Sequence, residues 1–176
     1  MLFLKSILIT CFGKSTQFEL DKEINRALEK AELLFIQKEY EKSNGICNLL
    51  LSKGFRQSDL LHLKGLNCIH LNDFSEAIEY LHQSLVYDPK DSKKWVDMGF
   101  AYTRVNDLER GLEAFQNGLK ISPNSSSACN GIGVILAKQG SQNEAIKMFQ
   151  LAVKYNPNNQ TANRNLSKLT TLTHVN

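Results

Sequence analysis

Histidines, cysteines and nucleophile motifs are the parts of this 176-residue chain through which it could do chemistry, and their spacing argues against catalysis. His62 and His70 lie eight residues apart, so on one helix they share a face two turns from each other, too far for a single metal ion without a third element. His82 belongs to a different segment, and His174 stands near the end of the chain. The cysteines are Cys11, Cys47, Cys68 and Cys129, with no Cys-x-x-Cys pair among them, which excludes zinc ribbons and thioredoxin-like redox chemistry. No serine, cysteine or lysine sits in a nucleophile motif, and no glycine-rich phosphate loop follows a strand. The expectation is a non-enzyme with no metal and no cofactor.

Binding chemistry is left. The formal charge is +3 from 21 basic and 18 acidic residues, a near balance that gives no electrostatic footprint for nucleic acid. Asn124, Asn159 and Asn165 each begin an Asn-x-Ser/Thr triplet, which matters only in a glycosylating export pathway.

Helices must position whatever binds. Trp95, Met98, Gly99 and Tyr102 recur at i, i+3, i+4 and i+7, and Leu108, Leu112, Phe115 and Leu119 mark a second apolar face. Val105-Asn106-Asp107 is so short a turn that the two helices run antiparallel, and Asp107 is placed to accept from the free amides of the second. Shifting by 34 residues repeats the pattern: Gly65, Gly99 and Gly133; Ala77, Gly111 and Ala145; Pro89, Pro123 and Pro157. Glycine within a helix costs about 1 kcal/mol relative to alanine, so its recurrence implies a close approach of packed elements, with Gly99 expected against Gly111. Asp73 with Glu76, and Ser141 with Glu144, have the spacing of capping boxes. Cys47, Cys68 and Cys129 fall in core positions of this repeat, as small hydrophobes suited to a reducing compartment.

The spacing of Trp95, Gly99, Tyr102, Gly111, Phe115 and Pro123 resembles the tetratricopeptide repeat (TPR) family. The resemblance covers residues 24 to 172 and implies an all-α fold of antiparallel helix pairs stacked as a right-handed α-solenoid. On this reading residues 1–23 are an N-terminal apolar segment or cap, 24–57 a degenerate first repeat, 58–91, 92–125 and 126–159 three regular repeats, and 160–176 a capping helix and tail. Gly45 would sit inside the second helix of the first repeat and weaken it. Met1 to Phe12 is too short to span a membrane; it reads as a capping helix, with a degenerate export signal or lipid anchor ending near Cys11, or a mis-assigned start, as the other readings.

In solenoids of helix pairs the first helix of each pair lines the concave side. Off the apolar seam this row holds His62, Leu66 and His70 in one repeat, and Lys93, Val96, Phe100 and Arg104 in the next. Asn130 and Lys138 follow, then Arg164 and Lys168 on the last helix. The row is basic toward the C-terminus with Phe100 in its middle, which suits an acidic peptide carrying an aromatic anchor. Family members that grip carboxylate-ended heat-shock protein tails use Lys and Asn, then Asn, then Lys and Arg on successive first helices. The matching residues here are Leu28, Glu32, Leu63, Lys93 and Asp97, of which only Lys93 fits, and in the next frame none fits. An asparagine ladder like that of the protein-glycosylating members would need Asn where Glu29, Leu63, Asp97 and Gly131 stand, with only Asn165 in place. The expectation is therefore a cytoplasmic, non-catalytic adaptor that binds a protein or peptide, or copies of itself. A lipid-anchored or exported envelope assembly factor and the targeting module of a multi-protein enzyme are the alternatives.

Overall fold

The computed structural model of the chain describes residues 14–55 and 57–173, and every regular element among them is an α-helix. The apolar stretch Met1 to Phe12 and the tail from His174 lie outside the described residues. The chain divides into two compact units, Met1–Arg56 and Gln57–Asn176.

In the first unit α1 (Lys14–Ile36) pairs with α2 (Tyr40–Ser52). The boundary expected between residues 23 and 24 falls inside α1. Small residues bring the two helices together: Ala31 and Ser43 are both fully buried, and the Ser43 hydroxyl donates to the Ala31 carbonyl at 2.8 Å. Cys47 and Leu50 complete the buried face of α2. Gly45 is in this helix as expected, exposed, with open space where a Cβ would be.

In the second unit α3 (Ser58–His70) pairs with α4 (Phe74–Tyr87), α5 (Ser92–Arg104) with α6 (Leu108–Ile121), and α7 (Ser126–Lys138) with α8 (Gln142–Tyr155). A single helix, α9 (Gln160–Thr173), closes the series by packing on α8 and α7. One buried cluster joins Cys68, Leu81, Met98 and Ala114 across two repeats, a second joins Val96, Phe115, Ala128 and Ile135, and a third joins Cys129, Ala152 and Ala162. Each pair thus buries its apolar face only by stacking on the next, as a helical repeat must.

The turns repeat too. Lys38, Asn72, Asn106 and Gly140 all have φ between 62° and 84°, and all stand 34 residues apart. At the end of α3 the amide of Asp73 donates to Cys68 O at 2.8 Å and that of Asn72 to Ile69 O at 3.1 Å, a Schellman closure that needs a left-handed residue between helices. Asparagine and glycine tolerate that conformation; Lys38 adopts it without such an excuse.

The recurring glycines mark a close approach of paired helices, and chiefly they make room for core side chains. A Cβ on Gly99 would meet the ring of Phe115 at 2.8 Å, one on Gly65 would meet Leu81 at 2.8 Å, and one on Gly133 would meet Phe149 at 2.6 Å. What crowds Gly99 is a core side chain from the paired helix, and the expected approach to Gly111 is present as well, a Cβ there lying 3.3 Å from the Gly99 carbonyl oxygen. The capping boxes also do not form. Asp73 and Ser141 make no side-chain cap, and Glu76 turns instead to Lys64 Nζ at 3.4 Å and to the Cys68 thiol at 3.5 Å. A buried ammonium competes for a carboxylate better than an exposed amide does. Asp107 does cap α6, accepting from the Arg110 amide at 3.1 Å, and Asp91 caps α5, accepting from Lys93 at 2.8 Å.

Candidate functional site

Within the second unit the first helices α3, α5, α7 and α9 pack on one another in turn, and the second helices make no contact of comparable extent among the described residues. Closer spacing on one side bends such a stack toward that side, so the first helices form its inner wall.

Two side-chain braces tie this wall together. His62 Nε2 and Asp97 Oδ2 are 2.8 Å apart, joining α3 to α5, and Asn165 Nδ2 donates to Asn130 Oδ1 at 2.9 Å, joining α9 to α7. Both span 35 residues, one repeat plus one position. Between them the same step would join Val96 to Gly131, and there the ring of Phe115 fills the space instead.

The candidate residues therefore divide. His62 is engaged by Asp97, while Asn130 is 3% exposed and held by Asn165. Val96 is 6% exposed in the core beside Phe115, so it offers almost no surface. Phe100 is half-buried, edge-on to Phe115 with centroids 5.2 Å apart, and Leu66 is half-buried as well. Arg104 is exposed with its guanidinium 4.4 Å from the ring centre of Phe74, a cation–π contact across the edge of the wall. His70, Lys93 and Arg164 are exposed on their helices. Lys138 and Lys168 both line a cleft of about 320 Å³ between α7 and α9. Val134, Ala137, Phe149, Asn165 and Leu169 line it as well.

Electrostatics favour an anion at this end. From Ser126 to Thr173 the sequence holds Lys138, Lys147, Lys154, Arg164 and Lys168 against a single carboxylate, Glu144.

Sequence spacing did not single out Lys94, the most enclosed charge in the unit. Its side chain is 1% exposed, donates to Asp88 Oδ2 at 3.0 Å and Ser58 Oγ at 2.9 Å, and has Asp91 at 3.4 Å and Asp59 at 3.5 Å. Burial alone would lower its pKa, but the Asp88 hydrogen bond and the Asp91 charge outweigh it and hold Lys94 above the ordinary lysine value. Burial likewise opposes ionisation of Asp91, yet the Lys93 amide and the Lys94 ammonium hold its carboxyl below the usual range. Three acids from α3 and the α4–α5 turn thus clasp one lysine of α5, fixing the register of two repeats. Burial above all pushes the Cys68 thiol up to about 12, against Lys64 and with help from Glu76, and burial raises Cys129 also. Among the described residues no three metal-ligating side chains converge, and no helix is long and apolar enough to cross a membrane.

Comparison with known proteins agrees with this architecture. The crystal structure of YrrB, a TPR protein with an unusual peptide-binding site, superposes with a TM-score of 0.70 at 17% identity, over 85% of this chain and 86% of that one. The Cut9–Hcn1 hetero-tetramer of the APC/C gives 0.76 at 17% identity, over 83% of this chain and 29% of that one. The first TPR of Spaghetti (RPAP3), bound to the HSP90 peptide SRMEEVD, gives 0.62 at 19% identity, over 67% and 94%. A DnaJ homolog subfamily C member 7 homolog of Dictyostelium discoideum is 31% identical over 67 residues, 38% of this chain and 12% of that protein's length. These likenesses concern the TPR fold. The model of the cilia and flagella-associated protein 70 middle TPR-like domain matches residues 33–175. This chain is a TPR repeat protein and belongs to the family of that middle TPR-like domain.

Proposed function

We propose that the chain is a non-catalytic adaptor whose second unit holds a segment of another protein along the inner wall formed by α3, α5, α7 and α9. The observation that carries this reading is the cleft between α7 and α9, where Lys138 and Lys168 stand over apolar sides in a stretch with one carboxylate. Such a surface combines area for apolar burial with charges that orient an acidic partner. Two structural neighbours described as having a peptide-binding site and as bound to a peptide lend support at the level of the fold.

The test is affinity capture with quantitative mass spectrometry, comparing the wild type with Lys93→Glu/Lys138→Glu on the inner wall and Glu109→Lys/Glu113→Lys on α6. The adaptor reading expects a defined set of proteins lost only with the inner-wall variant. Equal recovery of every protein by all three chains would contradict it.

A further inference from the structure

The cleft between α7 and α9 specifies more than a wall, and the inference drawn from it rests on the adaptor reading above. We infer that it takes one large apolar side chain from a partner segment in which that residue is flanked by Asp or Glu. The volume, about 320 Å³, is at the small end of the roughly 300–1,000 Å³ of ligand pockets and ample for an anchoring side chain. Apolar contact comes from Val134, Ala137 and Leu169 on two different helices, with the ring of Phe149 beneath, itself 2% exposed and therefore fixed. Asn165 lines the same cleft while its Nδ2 is committed to Asn130, so the separation of α7 and α9 is set by a hydrogen bond before any ligand arrives. A site held open in this way loses less on binding than one that must first be ordered.

Charge selects the flanking residues. Lys138 and Lys168 are exposed at the cleft from opposite helices, and Arg164 continues the row one turn back along α9. Three cations in succession match several side-chain carboxylates along a segment better than one carboxylate at a chain end. No Asp or Glu of α7 or α9 competes for them, since neither helix contains one. The anchor expected for Phe100 thus moves: that ring is packed edge-on against Phe115, and the apolar opening lies further along, beyond Asn130.

The experiment uses the full chain and amidated heptapeptides labelled with fluorescein at the amino end. One has a central leucine between two acidic pairs, a second has alanine for that leucine, and a third has Asn and Gln for the acids. Fluorescence anisotropy should show the first binding at least tenfold more tightly than either twin, with affinity falling as salt is raised. Lys138→Glu/Lys168→Glu should weaken it at least tenfold, and Lys168→Gln severalfold. Both lysines are exposed, and an unchanged melting curve for Lys168→Gln keeps the comparison valid if the double variant is unstable. Equal binding of the neutral twin, no binding of any peptide at millimolar concentration, or a tenfold preference for the same peptide with a free terminal carboxylate would each overturn the inference. So would concentration-dependent self-association of the chain that the double variant abolishes, which would give the cleft to a second copy. If these peptides fail while the capture experiment still loses partners with the inner-wall variant, the adaptor reading stands and the anchor lies elsewhere on the wall.

Discussion

The ring of Phe115 occupies the place where residue 131 would carry a side chain: a Cβ on Gly131 would stand 2.2 Å from its Cζ. The same ring touches the space above Gly99 at 2.8 Å, so one phenylalanine of α6 is inserted between two glycines of the flanking first helices. At the position equivalent to Gly131 the other repeats have Glu29, Leu63 and Asp97, and the closing helix has Asn165.

Gly131→Ala should therefore destabilise the second unit by about 3 kcal/mol through overpacking against a ring that has nowhere to go. Gly99→Ala should cost less, about 1–2 kcal/mol, because its Cβ would come no nearer to the ring than 2.8 Å. In a Phe115→Leu background the cost of Gly131→Ala should shrink by more than half, since the two sites are in contact and not additive. Urea unfolding of the four chains checks this; strict additivity would mean that Phe115 is not what Gly131 accommodates.

Gly45 is the opposite case. It lies in the interior of α2, exposed, with nothing within 4 Å of where a Cβ would be. Gly45→Ala should stabilise the first unit by about 0.5–1 kcal/mol through the reduced freedom of the unfolded chain and better helix propensity. A lower melting temperature for this variant would show that the position is not an open helix surface.

Lys94 and its carboxylates give the protein a defined pH response. Asp91 is held below its ordinary value, so its contribution is complete above the ordinary carboxylate range and is lost as pH falls through the lowered value. Lys94 is held above its ordinary value, so its contribution is complete below the ordinary lysine value and is lost as pH rises through the raised one. Lys94→Met should cost about 2 kcal/mol near neutrality, less than a fully buried pair because Asp88 and Asp59 are 46% and 77% exposed and regain water. The difference from wild type should narrow below pH ~3.8 as Asp91 gives up its charge. Denaturation at pH 3 and pH 7 measures it; a constant difference would mean that the clasp carries no charge-dependent stability.

Cys47 and Cys68 are fully buried, Cys129 is 2% exposed, and the thiols of Cys68 and Cys129 are further protected by raised pKa. Since the thiolate is the reactive form, iodoacetamide at pH 8 should leave all three unmodified in the native chain and label them after unfolding in urea. Rapid native labelling of Cys68 by peptide mass mapping would contradict its place in the core.

The helix pairs were legible because their marks depend on local spacing. Trp95, Gly99, Tyr102 and Phe115 lie on faces that periodicity exposes, and the prolines fall where helices stop. The turns were less legible, because one backbone requirement is met by Lys38, Asn72, Asn106 and Gly140, three chemically different residue types. The capping boxes misled because Asp73 and Glu76 have the right spacing, but Glu76 answers a buried lysine on another helix. At the wall, spacing gave the row of residues off the apolar seam but could not tell that Val96 and Asn130 are buried. That depends on which neighbouring helix covers them, and the braces from His62 to Asp97 and from Asn165 to Asn130 cross repeats at an offset of 35 rather than 34.

The proposed seat of the partner is the inner wall of the second unit. Amide hydrogen exchange of the chain, free and with a captured partner, tests it most directly. Exchange should slow in Ser126–Lys138 and Gln160–Thr173, with Leu108–Ile121 unchanged. Protection confined to α4, α6 and α8, with α7 and α9 unaltered, would contradict it.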